Sequence, residues 1–105
     1  MKLLTQKIIK QLPPLYSQDG KGGKTIAYVK FFTPDSNWTW YGCEYDGEDM
    51  FFGLVDGHEK ELGYFSLNEL KSVKGSLGLP IERDLYFKPK TLEEIAPELF
   101  EENKS

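Results

Sequence analysis

The feature that most restricts the fold of this chain is a series of β-rich runs joined by tight turns between residues 25 and 67. The runs are rich in β-branched and aromatic residues, and they cover residues 26–33, 38–45, 50–55 and 61–66. The segments between them consist largely of turn formers, such as TPDSN at residues 33–37 and DGED at residues 46–49. Because parallel strands need crossover connections of a dozen or more residues, these short links predict an antiparallel meander of four strands.

Helical patterns lie on both sides of this β-rich region. Apolar residues recur at helical spacing from residue 4 to residue 12, and Pro13 and Pro14 end that pattern. Ser66 with Glu69 and Thr91 with Glu94 have the spacing of capping boxes, which predicts two further short helices. We expect the first of these helices to end at a left-handed glycine, residue 75, and residues 84–88 to form a short edge strand.

The predicted fold class is therefore α+β: a four-stranded antiparallel meander sheet with short helices packed on one face. A chain of 105 residues is the size of one domain, and we expect a core over about residues 4–100. Residues 17–24 (SQDGKGGK) predict a flexible loop, and residues 101–105 a frayed tail. In the predicted second strand, Tyr45 shares a side with Cys43, while Trp40 lies on the other side.

Few residues suited to catalysis or metal binding occur. One cysteine, Cys43, excludes an intrachain disulfide and a multi-cysteine zinc site, and Glu44 beside it would raise the thiol pKa. The one histidine, His58, lies near Glu59 and Glu61 but has no second histidine, cysteine or serine at a useful spacing. We expect no metal and no cofactor, and we favour a protein without enzymatic activity. An enzyme that uses His58 with Glu59 or Glu61 is the alternative.

The length and polarity of the apolar runs also bear on location. No run approaches the roughly 18 apolar residues of a membrane span, and the first fifteen residues are too polar for a signal peptide. We therefore expect no membrane association and a reducing, cytoplasmic location.

Charge is distributed unevenly along the chain, whose formal net charge is −4. Residues 1–30 hold six lysines and one acid, residues 31–70 hold one lysine and nine acids, and the remainder is nearly balanced. A basic first part and an acidic middle can face each other or form separate patches, and the sequence leaves both arrangements open.

Aromatic residues make up 14% of the chain and are densest within the acidic middle. If helices cover one face of the sheet, some of these rings lie on the open face and can contact another macromolecule. The predicted partner-binding residues are Trp38, Trp40, Tyr41, Glu44, Asp46, Glu48, Asp49 and Phe51.

Arg83 is the single arginine among thirteen basic residues. Its planar guanidinium suits a structural clamp on a carboxylate or a carbonyl, with Glu44 or Asp35 as candidate acceptors. Recognition of an external anion is the alternative, although Glu82 and Asp84 beside it would offset that attraction.

Four long motifs resemble an uncharacterised family, a domain of unknown function found on bacterial plasmids, phages and other mobile elements. The motifs are KFFTPDSNWTWY at residues 30–41, FFGLV at 51–55, EKELGYFSL at 59–67 and LGLPIERDLYFKP at 77–89. The resemblance covers about residues 12–95 and supplies no catalytic residues. It implies a mobile-element setting, in which small acidic proteins often serve as accessory or anti-defence factors.

Two functions follow as hypotheses. The first is a non-enzymatic accessory protein that binds a host or element-encoded protein through the acidic, aromatic-rich sheet surface, for example by mimicking nucleic acid. The alternative is a nucleic-acid-binding protein that uses sheet aromatics for stacking and the N-terminal lysines for phosphates: Lys2, Lys7, Lys10, Lys21 and Lys24.

Overall fold

The computed structural model describes residues 2–101 and contains a five-stranded antiparallel sheet. Its strands, from one edge to the other, are β5 (Lys60–Ser66), β4 (Met50–Asp56), β3 (Thr39–Tyr45), β2 (Val29–Phe32) and β6 (Glu82–Arg83). The predicted meander is present, and β6 adds a fifth strand to the predicted four. Of the predicted tail over residues 101–105, Glu101 is exposed, and residues 102–105 lie outside the described residues.

A two-stranded sheet and three short helices complete the described part of the chain. Strand β1 (Ile26–Ala27) pairs with β7 (Lys90–Thr91). The helices are α1 (Gln6–Gln11), α2 (Leu67–Ser72) and α3 (Leu92–Ile95), and 3₁₀ turns cover Gly22–Lys24 and Pro97–Leu99. No helix within residues 2–101 has the length and apolar character to cross a bilayer.

Local capping contacts define where the helices begin. The Thr5 hydroxyl accepts a hydrogen bond from the Ile8 amide at 3.3 Å, and α1 ends before Pro13. Thr91 and Glu94 form the full capping box at the start of α3. Each of these contacts joins residues three apart, so the sequence pattern alone specifies them.

Strand boundaries that depend on distant partners differ from prediction. The predicted strand over residues 26–33 divides at Tyr28, because residues before it pair with β7 and residues after it join the main sheet. The predicted edge strand over residues 84–88 is wrong. Instead, Glu82 and Arg83 pair with β2, and Asp84 closes a turn by accepting the Tyr86 amide at 2.9 Å.

Both faces of the sheet are packed, so the prediction of helices on one face is wrong. The first face, covered by α1, α2 and the N-terminal segment, carries a large cluster: Leu3, Leu4, Leu12, Val29, Phe31, Trp40, Tyr45, Phe51, Phe65, Leu67, Leu70 and Ile81. The second face, covered by α3 and the C-terminal segment, carries a smaller one: Ala27, Cys43, Leu54, Leu92 and Ala96.

A β-bulge in β3 explains the position of Tyr45. The pairing of β3 with β4 shifts between Gly42 and Glu44, which places one extra residue in β3. The extra residue reverses the alternation of side chains beyond it. Tyr45 therefore packs in the first-face cluster with Trp40, and the predicted pairing of Tyr45 with Cys43 on one side is wrong.

Candidate binding surface

The predicted aromatic site residues occupy three different environments. Trp40 and Phe51 belong to the first-face core, with 8% and 0% of their surface exposed. Trp38 is half-buried, stacks on Trp40 with ring centroids 5.9 Å apart, and meets the His58 ring edge-on at 5.3 Å. Trp38 is therefore the tryptophan that reaches the surface.

Tyr41 lies on the second face and is half-buried. Its ring is 5.9 Å from that of Phe87, and the Lys30 ammonium lies 5.8 Å from its centroid. Burial, followed by the negative charge of Asp56, raises the pKa of Tyr41 above its ordinary value. Tyr41 thus stays neutral, beside a surface lined by Lys30.

Glu44 is buried and organises a loop. Its two carboxylate oxygens accept the backbone amides of Tyr16 and Gln18 at 2.8 and 2.7 Å. The side chain of Gln18 is itself buried and hydrogen-bonds the backbone of Ile26 and Cys43. The predicted flexible loop is therefore anchored at its start, and the Glu44 carboxylate faces this loop rather than solvent.

Asp46 and Asp49 also bind the backbone around them. Asp46 Oδ1 accepts three amides of the β3–β4 turn, and these hydrogen bonds, with that from Asp49 the largest, lower the pKa of Asp46. Asp49 accepts the Ser66 hydroxyl at 2.5 Å and the Asn68 amide at 2.8 Å. Glu48 is exposed between them.

The acids of the middle segment do not gather into one patch. Residues 46–49 lie at one end of β3 and β4, whereas Asp56, Glu59 and Glu61 lie at or near the opposite end of β4 and β5. Strands of seven residues separate these ends by about 20 Å. The N-terminal lysines are divided as well, since α1 covers the first face and Lys24 pairs with Glu93 beside α3 at 3.2 Å.

Arg83 clamps a carbonyl rather than either predicted carboxylate. Its Nη1 donates to the backbone oxygen of Lys2 at 2.6 Å and so ties β6 to the N-terminal segment. Glu44 serves the loop described above, and Asp35 Oδ2 accepts the amides of Leu77 and Leu79. Both of these carboxylates bind backbone amides that sequence spacing does not reveal.

The catalytic candidates remain separate. Burial, and then the charge of Glu44, raises the pKa of the Cys43 thiol to about 12, so it stays protonated. Within residues 2–101, no three histidine, cysteine, aspartate or glutamate side chains converge as a metal site. His58 contacts Trp38 at the β4–β5 turn.

The surface carries a groove that the sequence pattern does not reveal. Leu85 and Tyr86 are 62% and 91% exposed and form one wall of a groove of about 590 Å³, hereafter the Tyr86 groove. Phe32 and Trp38 line it on the side of the sheet. The sequence predicts a strand over residues 84–88 and therefore does not reveal the turn that projects these side chains. The signal for this turn is Asp84, two residues before Tyr86, since aspartate side chains often accept the amide two residues on.

Cations border this groove on two sides. A depression next to Leu85 is lined by three cations, Lys7, Arg83 and Lys88, and one acid, Asp84. Another next to Tyr86 is lined by Lys30, Lys88 and Lys90 and by the acids Asp84 and Glu94. Lys30 pairs with Asp84 at 3.6 Å, and Lys90 lies 5.6 Å from the centroid of the Phe87 ring. The surroundings of Tyr86 are thus richer in cations than the net charge of the chain suggests.

Fold and surface together define a small α+β domain with a projecting aromatic residue and, within residues 2–101, no group of three or more metal-ligating side chains that could hold an ion. The chain belongs to the family described as protein of unknown function (DUF2958), whose model matches residues 3–96. A search of curated proteins and a search of solved structures found no match.

Proposed function

We propose that this protein is a non-enzymatic binding protein whose Tyr86 groove receives an acidic segment of a protein partner. The observation that carries the proposal is the exposure of Leu85 and Tyr86 beside a groove lined by Phe32 and Trp38. Exposed aromatic and aliphatic side chains next to a concave surface are typical of interface anchors.

Charge complementarity supports an acidic partner. Lys7 and Lys88 line the depression next to Leu85, and Lys88 and Lys90 line the one next to Tyr86. Of the nearby acids, Asp84 pairs with Lys30, Glu94 forms the α3 capping box, and Glu82 lines the groove together with Arg83. An apolar residue flanked by glutamates or aspartates would place its side chain against Trp38 and its charges near these lysines.

The acidic-surface version of the hypothesis has less support. A phosphate mimic needs an ordered row of exposed carboxylates, but Glu44, Asp46 and Asp49 bind backbone amides, and the remaining acids lie at two ends of the sheet. We retain a role as an accessory protein of a mobile element, including an anti-defence role, on the strength of the resemblance in four long motifs. The proposed partner-binding surface is therefore the Tyr86 groove and not the acidic sheet surface.

Single-stranded nucleic acid is the second candidate ligand. The Tyr86 ring is 91% exposed, and Lys88 and Lys90 follow it in the chain, so a base could stack on the ring while phosphates meet the lysines. The N-terminal lysines are divided between the two faces of the sheet, and this division limits the number of phosphates that one nucleic-acid strand could contact.

The test is a binding titration that uses the groove's own tryptophan. We expect a library of acidic peptides, each with one central leucine or aromatic residue, to change the emission of Trp38, with affinity falling as salt rises. Tyr86→Ala should weaken binding about tenfold or more, because exposed anchors dominate such interfaces. Lys88→Glu should weaken it further.

Tyr16→Ala is the matched control, since Tyr16 is also exposed but contacts Tyr64 of β5, at the opposite edge of the sheet. It should bind like the wild type. Fluorescent single-stranded oligonucleotides form the second arm. Binding of oligonucleotides alone would replace the proposal with the nucleic-acid alternative, and equal peptide binding by wild type and Tyr86→Ala would refute it.

A further inference from the structure

Strand β5 forms one edge of the five-stranded sheet, and half of its backbone groups point away from the sheet. Two hydrogen bonds at the ends of the β4–β5 ladder show which backbone groups of β5 point away from the sheet. Leu67 N donates to Asp49 O at 2.8 Å, and Gly57 N donates to Glu59 O at 3.1 Å. In an antiparallel ladder these bonds make Met50–Ser66 and Asp56–Lys60 non-hydrogen-bonded pairs.

The alternation of the ladder then assigns every residue of β5. Glu61, Gly63 and Phe65 bond to β4, while Lys60, Leu62, Tyr64 and Ser66 direct their N–H and C=O groups outward. Among residues 2–101, no backbone hydrogen-bond partner occupies the outward groups of Leu62 and Tyr64. The edge is therefore open to another strand.

Side chains do little to block this edge. Natural sheets protect edge strands with charges, prolines or bulges, but the charges of β5 lie at its start, and residues 62–65 are LGYF. Leu62 and Tyr64 are 45% and 50% exposed on the second face, where Tyr64 packs against Phe52 at 5.2 Å and hydrogen-bonds Tyr16. A strand added here would cover both side chains.

We infer that the occupant is a second copy of this chain, paired antiparallel through β5 about a two-fold axis at Gly63. In this register Leu62 of each copy faces Tyr64 of the other as a hydrogen-bonded pair, so the outward groups of both residues are satisfied. The two sheets would join into one of ten strands.

The strand is self-complementary in this register. All seven residues overlap, whereas a shift of the axis by one residue leaves five paired. Lys60 faces Ser66 and Glu61 faces Phe65, so no like charges are opposed. At the axis the two copies of Gly63 meet as a non-hydrogen-bonded pair with Cα atoms about 4.5 Å apart.

This close approach gives a direct test by disulfide trapping. A Cβ at Gly63 meets open space, so Gly63→Cys should fold, and Cα atoms about 4.5 Å apart lie within disulfide range. We expect Gly63→Cys to form a covalent dimer under mild oxidation on a non-reducing gel. The native Cys43 is buried and should not contribute.

Glu61→Cys is the matched control, on the same strand and the same face. In the proposed register its two copies are about 14 Å apart, so it should form at least tenfold less dimer in the same time. Equal trapping of both variants, or none of Gly63→Cys, would overturn the register and the proposal with it.

Solution mass tests the pairing without cysteine chemistry. Light scattering across a range of protein concentrations should show the mass of the wild type rising toward twice 12.1 kDa. Tyr64→Pro removes an outward N–H and the ring while leaving the β4 ladder bonds in place, and it should remain a monomer throughout. A wild type that stays monomeric at every concentration would contradict the inference.

Discussion

At the scale of single residues, Asp35 shows how one carboxylate joins two distant loops. Its Oδ2 accepts the amides of Leu77 and Leu79 at 2.7 and 3.1 Å, and its backbone oxygen accepts the Ser76 hydroxyl at 2.8 Å. Its Oδ1 is buried at Gly75, where a Cβ would come within 1.4 Å. Gly75 is thus required for close approach, and the predicted left-handed helix end at this residue is wrong because α2 stops at Ser72.

The first prediction concerns this contact. Gly75→Ala should displace the Asp35 carboxylate and break its bonds to the two amides, lowering the free energy of unfolding by about 1–3 kcal/mol. Urea denaturation followed by tryptophan fluorescence measures this. Gly63→Ala is the control, because its Cβ meets open space and should change stability little.

A double-mutant cycle identifies the cause. If Asp35 is the group displaced, Gly75→Ala should cost much less in an Asp35→Ala background than in the wild type. Additive losses would instead mean that the methyl group acts on something other than Asp35.

At the scale of secondary structure elements, the start of α2 depends on the β3–β4 turn. Ser66 caps the helix by accepting the Glu69 amide at 3.2 Å, which is the serine half of the predicted capping box. The first two amides of the helix, which precede that of Glu69, are accepted by Asp49: Leu67 N by its backbone oxygen and Asn68 N by its carboxylate. Asp49 also accepts the Ser66 hydroxyl, so it orients the capping residue itself.

The second prediction follows from this shared cap. Asp49→Ala should lower the free energy of unfolding by about 1–2 kcal/mol, because it removes acceptors from an orphan helix amide and from Ser66. Glu48→Ala, at the exposed neighbouring position, should change stability by less than about 0.5 kcal/mol. Equal losses in the two variants, measured by thermal and urea unfolding, would rule out a capping role for Asp49.

The type of an element could be predicted where it depends on residues close together in the sequence. Strand boundaries that depend on residues far apart in the sequence could not be predicted. The caps of α1 and α3 and the turns of the meander depend on residues within five positions of one another, so the sequence displays them. The fifth strand depends on Glu82 and Arg83 meeting β2, some fifty residues earlier in the chain. A strand of two residues, Glu82 and Arg83, is too short to show the alternating pattern that would predict its pairing.

At the scale of the whole molecule, the two packed faces change which surfaces are available. The sequence predicts one open face that carries the binding rings, but Trp40 and Phe51 are interior. Of the two tryptophans, only Trp38 lines the groove. The wall formed by Leu85 and Tyr86 comes from a turn at Asp84, where the sequence predicts a strand. The site could not be predicted because it depends on the pairing of β6 with β2 and on the turn at Asp84 that directs Leu85 and Tyr86 outward.

The third prediction distinguishes a two-faced sheet from a one-faced sheet. Leu92 is 1% exposed against Cys43 and Leu54 on the second face, so Leu92→Ala should lower the free energy of unfolding by about 2–5 kcal/mol. Leu99→Ala, in the same C-terminal segment but 39% exposed, should cost less than about 1 kcal/mol. An open second face would leave Leu92 near solvent and make the two variants alike in urea unfolding. A loss at Leu92 comparable to that of Leu70→Ala on the first face would establish that α3 closes a second core.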